Sequence, residues 1–170
     1  RTVVSSLVDE WSAAGTAAPE AGAAPTDADE VVHDRRGLTL LVRNALFARV
    51  RLAAVFDTER LGALDADWGW RQPRWAQVLD AYRESHDDIL LDADARSSAY
   101  LAIDESDEKG DGAGRHVWHV RQMFRDPDDD RDFGISGDVD LDATQDEGEV
   151  VFCRYQVGFV EDLLESEHRA

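Results

Sequence analysis

Apolar positions follow a helical period in the first half of the chain and a period of two in the second. Over residues 37–56, "GLTLLVRNALFARVRLAAVF", Leu38, Leu41, Val42, Ala45, Leu46, Arg49, Leu52, Ala53 and Phe56 recur at spacings of three and four. That is the stripe of a helix with one core face. Arg49 falls on the stripe, so it is expected to be buried and paired. In residues 65–89, Pro73 suits the first turn of a second helix, with Trp75, Val78, Leu79 and Tyr82 on its core side. Trp68 and Trp70 precede it in a turn-like stretch. This aromatic group reads as a core corner, with a base-stacking platform as the sharper alternative. From residue 98 the pattern is that of strands: "AYLAID", "HVWHVRQMF" (116–124), "DFGISGDVDL" (132–141) and "EVVFCRYQVGFV" (149–160).

The connections are short enough for hairpins, which predicts consecutive antiparallel pairing. Helices first and a strand meander afterwards define an α+β domain, with N-terminal helices packed on one face of a curved antiparallel sheet. A nuclear-transport-factor-like cone is one such architecture. Around this domain, placed at 35–160, the ends read differently. Val4, Leu7, Val8 and Trp11 share a helical face, so residues 1–11 are read as the end of a preceding helical segment. Residues 12–34, with their small side chains, Pro19 and Pro25, read as a flexible linker. Residues 161–170 read as a tail, a short helix or frayed. The start "RTVVSSLVDEW" lacks an initiator Met and any signal-like run, so the chain is expected to be a piece of a longer protein.

Charge changes the picture. The 170 residues carry 37 acids and 18 bases, a net −19. Residues 1–34 sum to −6, residues 35–60 to +4 and the remainder to −17. So strong an acidic excess opposes nonspecific binding to nucleic acid or an anionic membrane. The basic exception makes Arg35, Arg36, Arg43 and Arg51 the candidate docking or nucleic-acid surface. The bland alternative pairs them with acids of the same domain. A lone cysteine, Cys153, excludes an internal disulfide and fits a reducing cytoplasm. It alternates with Val151, Tyr155 and Val157, which places it on a buried face.

Residues 138–149, "DVDLDATQDEGE", set Asp138, Asp140, Asp142, Asp146 and Glu149 at ligand places of an EF-hand loop. Ala143 stands where that loop needs Gly, and strand-like runs flank it, so the stretch reads as a half-exposed edge strand and hairpin. The only lysine, Lys109, is followed by Gly110, which excludes a G-x-x-x-x-G-K-[ST] phosphate loop. His116 and His119, three apart in a strand, face opposite ways and do not share a metal. No catalytic, cofactor-binding or metal-ligating constellation is expected. The alternative left open is a small-molecule or enzymatic pocket lined by Trp75, Trp118 and Tyr155. A third is an acidic protein-interaction module.

Five segments together carry a resemblance: "VSSLVDEW" (4–11), "LVRNALFARVRLAA" (41–54), "DWGW" (67–70), "WHVRQMFRDPDDDRDFGISGDVDLDA" (118–143) and "EVVFCRYQVG" (149–158). They resemble the C-terminal domain of unknown function of actinobacterial DEAD/DEAH-box helicases. The resemblance implies a parent whose helicase core lies N-terminal to this chain. That core would bind ATP and magnesium and act on RNA or DNA. None of its ATPase motifs matches here, so no catalytic residue carries over. The expected role is a noncatalytic accessory domain contacting the core, nucleic acid or a protein partner, with no membrane association.

Overall fold

The computed structural model describes residues 34–169. The readings made for residues 1–33, a helix end and most of the linker, lie outside them. Asp34 is the N-cap of α1 (Arg35–Ala54), its carboxylate accepting from the backbone N–H of Arg36 and Gly37. Leu38, Val42, Leu46, Arg49 and Ala53 of the apolar stripe are buried, and Phe47 and Val50 join them. Asp57 caps a helix that periodicity did not announce, α2 (Thr58–Asp65). A 3₁₀ turn over Ala66–Trp68 ends at Gly69, whose φ of 84° only glycine adopts without strain. α3 (Gln72–Ser85) follows with Pro73 in its first turn and Trp75, Leu79 and Tyr82 buried. Gly62 lets α2 and α3 touch: a Cβ there would come within 2.3 Å of the Gln72 nitrogen.

The sheet is an open antiparallel meander, β1 (Leu101–Asp104), β2 (Val117–Met123), β3 (Phe133–Asp140) and β4 (Phe152–Phe159), in that spatial order. The fold is α+β. One sheet face, with Trp118, Val120, Ile135, Val139, Tyr155 and Val157, closes on the helices in a single core. Each such side chain contributes about 1.5–3 kcal/mol by leaving water.

The 138–149 stretch corrects the sequence reading twice. β3 is central, and residues 133–139 are all buried, so it is not a half-exposed edge. Its link to β4 is no hairpin turn but a helix, α4 (Leu141–Glu147). Asp140 accepts from Ala143 N–H as N-cap, Asp142 lies in the first turn, and Gly148 closes the helix at φ 79°. Those start and stop signals outweigh the strand alternation around them.

Cys153 is the third correction. Asp138 pairs with Arg154 but Val139 pairs with Phe152, so Cys153 is the extra residue of a β-bulge. The bulge breaks the period of two. Phe152, Tyr155 and Val157 all reach the core, and Cys153 is an exposed residue outside it, its sulfur partly covered beside Asp138. The segment beyond Phe159 forms α5 (Val160–Arg169). Leu163 is fully buried yet apart from the main core, and Glu167 bonds Arg121 and Ser136. α5 therefore lies across the sheet face opposite to α1–α3.

Candidate functional site

Two charged regions stand out, one on each side of the sheet. On the α5 side, register sets Asp104, His119, Asp138 and Arg154 in one cross-strand row, and Ala102, Arg121, Ser136 and Gln156 in the next. All but Ser136 line a cleft of about 1150 Å³ beneath α5. His119 sits between two carboxylates, Nε2 2.6 Å from Asp107 Oδ2 and Nδ1 2.7 Å from Asp138 Oδ1. Burial works against its charge, but the hydrogen bonds to Asp107 and Asp138 outweigh it and hold its pKa above the ordinary histidine value. Arg154 donates Nε to Asp138 Oδ2 at 3.1 Å and Nη2 to Ser136 Oγ at 2.9 Å. Arg121 forks onto Glu167, with Nη2 2.7 Å from each carboxylate oxygen.

The chemistry of the cleft is one of compensation. His119, Arg121 and Arg154 each hold a carboxylate, so none is poised as a general base. Cys153 lines the cleft, but burial and then the Asp138 carboxylate push its thiol up from the ordinary range, away from a reactive thiolate. His116, exposed, bonds Asp142 at 3.0 Å, well separated in role from His119.

On the other side, α1 brings its arginines to three different fates. Arg35 pairs with Glu105 and Glu108, as the bland alternative expected. Arg49 is buried against Asp65, Nε to Oδ1 2.9 Å. Asp65 Oδ1 also accepts from Trp68 Nε1 at 3.0 Å, and Oδ2 accepts from Trp75 Nε1 at 3.1 Å and Tyr155 Oη at 2.7 Å. Arg36 is exposed at the start of α1. Arg43 and Arg51 gather instead with Arg96, a residue the sequence reading did not single out. Arg51 lies 5.2 Å and Arg96 4.6 Å from the Phe47 ring centroid. Burial first, then repulsion from Arg51 and Arg43, lowers the Arg96 pKa. Among the described residues, no carboxylate pairs with these three.

The aromatic candidates are not pocket walls. Trp75, Trp118 and Tyr155 are 0%, 1% and 7% exposed, and they line neither the cleft nor a smaller cavity of about 410 Å³. Trp118 donates to Glu108 Oε1 at 2.9 Å, while Trp75 and Tyr155 converge on Asp65. All three belong to the core between the helices and the sheet. No helix among the described residues is long and apolar enough to cross a membrane.

Fold and site thus define an α+β domain with a self-compensated polar cleft on one face and, on the other, an arginine cluster that no carboxylate pairs with among the described residues. The chain belongs to the family described as a domain of unknown function, DUF3516, whose model matches residues 1–157. No curated protein and no solved structure matches it.

Proposed function

We propose that this chain is a noncatalytic accessory domain of an ATP-dependent DEAD/DEAH-box helicase, docked on an acidic surface of the parent's core through Arg43, Arg51 and Arg96. The resemblance of its five segments to helicase C-terminal domains supports the link to such a parent. The observation that carries the docking surface is the cluster itself. Arg51 and Arg96 crowd one ring, with Arg43 near enough to repel Arg96, in a protein of net −19 and with no acid against them among the described residues. An acidic partner relieves that repulsion. The overall negative charge disfavours a nucleic-acid strand as the direct partner. RNA or DNA, ATP and magnesium then belong to the parent's core.

The test is Arg43→Glu with Arg51→Glu in the full-length parent. Docking predicts at least tenfold weaker attachment of the domain to the core. Stability should change little, since exposed charges contribute about 0–1 kcal/mol each. Unchanged attachment with a lower melting temperature removes the docking surface. Unchanged attachment with weaker nucleic-acid affinity and a shallower salt dependence makes nucleic acid the partner instead.

A second reading has the cleft in its favour: its size and acid-rich lining suit a small polar cation. Thermal-shift titration with small organic cations, compared with Asp107→Asn, tests it. No shift with any of them leaves the cleft a structural network.

A further inference from the structure

The loop joining β2 to β3, "RDPDDDRD" (125–132), holds acids of unlike fates. Asp129 turns away, bonded by Tyr100 Oη and Arg131 Nε. Asp126 is buried and accepts three backbone N–H groups: Asp128 at 3.0 Å and Asp130 at 2.8 Å on Oδ1, and Arg131 at 3.0 Å on Oδ2. An ionised carboxylate has about four lone-pair sites, so one remains. That site is on Oδ2; beside the carboxylate, with Nδ1 toward its Oδ1, stands His86, the residue that caps the C-terminal end of α3. Its side chain is 2% exposed.

The His86 ring is oriented from behind. Nε2 stands 2.9 Å from Asp132 Oδ1, a partner that only accepts, so Nε2 carries the proton donated to it. In the neutral ring that leaves Nδ1 with a lone pair; burial opposes charge there, but Asp132, Asp126 and Asp130 outweigh it and raise the His86 pKa, so a proton competes with a cation for that position. Nδ1 is buried and has no hydrogen-bond partner; Asp126 Oδ1 lies 3.8 Å away, and Asp130 Oδ2 lies 3.9 Å from Nε2. A buried nitrogen lone pair facing a carboxylate is costly unless something positive lies between them. His86, Asp126, Asp128 and Asp130 each offer one atom, and these atoms all lie within 4.8 Å of one another.

We propose that this is a divalent-cation site, with His86 Nδ1 and the carboxylates of Asp126, Asp128 and Asp130 as ligands and Asp132 fixing the imidazole. A carboxylate behind a ligating histidine is the usual orienting arrangement. The donor set selects the ion. Calcium takes six to eight oxygens and magnesium keeps its waters, whereas one imidazole with carboxylates suits a first-row ion such as zinc or manganese. Bonds of about 2.0–2.2 Å require the shell to contract, and Asp128 and Asp130, both exposed, are the ligands able to move inward. The ion would fasten the end of α3 to the β2–β3 loop, tying the helix layer to the sheet.

The full chain, stripped with a chelator, is titrated calorimetrically with Zn²⁺, Mn²⁺ and Ca²⁺ in turn, and its melting is followed in parallel. One equivalent of Zn²⁺ is expected to saturate in the micromolar range and raise the melting temperature. Mn²⁺ should bind at least tenfold more weakly, and Ca²⁺ should give no saturable isotherm. Asp128→Asn with Asp130→Asn, at exposed positions that leave the fold intact, should weaken Zn²⁺ at least tenfold. His86→Gln should do the same, its melting without metal serving as the folding control. Weak graded uptake alike for all three ions overturns the site, as does a Zn²⁺ isotherm that the Asp128/Asp130 variant leaves unchanged. Calcium binding as tightly as zinc overturns the donor assignment.

Discussion

Asp65 shows how one residue organises a core. It is fully buried and takes hydrogen bonds from Arg49, Trp68, Trp75 and Tyr155. Asp65→Ala strands a buried guanidinium, which predicts a loss of about 3–5 kcal/mol in urea denaturation. Arg49→Met with Asp65→Leu should recover only part of it, since three ring donors remain unsatisfied. Half of this arrangement was legible: Arg49 on an apolar stripe implied a buried partner. The partner was not, because one carboxylate among 37 has no mark that distinguishes it. His119 makes the pH prediction. Its folded pKa is raised above the ordinary value of about 6.5, so its contribution is full below that pH and is lost as pH rises through the folded pKa. His119→Gln should therefore flatten the fall in melting temperature as pH rises above about 6.5; an unchanged slope places the titration elsewhere.

Among elements, those with a sustained apolar pattern were legible: α1, α3 and the four strands with their order, even where the bulge interrupts β4. The short helices were not. α2 and α4 depend on capping by Asp57 and Asp140, and an isolated short helix has too few turns to show a face. Gly148 holds the left-handed position that ends α4, so Gly148→Ala should cost about 1 kcal/mol, measured by denaturant midpoint. α5 hangs on Leu163. Leu163→Ala should cost about 2–5 kcal/mol if the helix is integral to the sheet, and a negligible change would make it a frayed end.

At the scale of the molecule, net charge sets the response to salt. Raising ionic strength from about 0.01 M to about 0.15 M shortens the screening length from about 30 to about 8 Å. Repulsion within a chain of −19 then weakens, so the melting temperature should rise. A fall would mean that ion pairs such as Arg154–Asp138 dominate instead. The packing of N-terminal helices on an antiparallel sheet was legible from period alone. The polar cleft was not, because it depends on strand register and on α5 crossing the open face, both set by tertiary contacts.

The bulge in β4 has a practical use. It places the chain's single thiol at the wall of the cleft and out of the core, without any second cysteine to compete. A maleimide fluorophore therefore attaches at one defined position in the native protein, with no background to remove. Its raised pKa makes labelling slow near neutrality and faster as alkali is added, which gives control over the reaction. Emission from that position reports on anything that enters beneath α5, and on α5 lifting away.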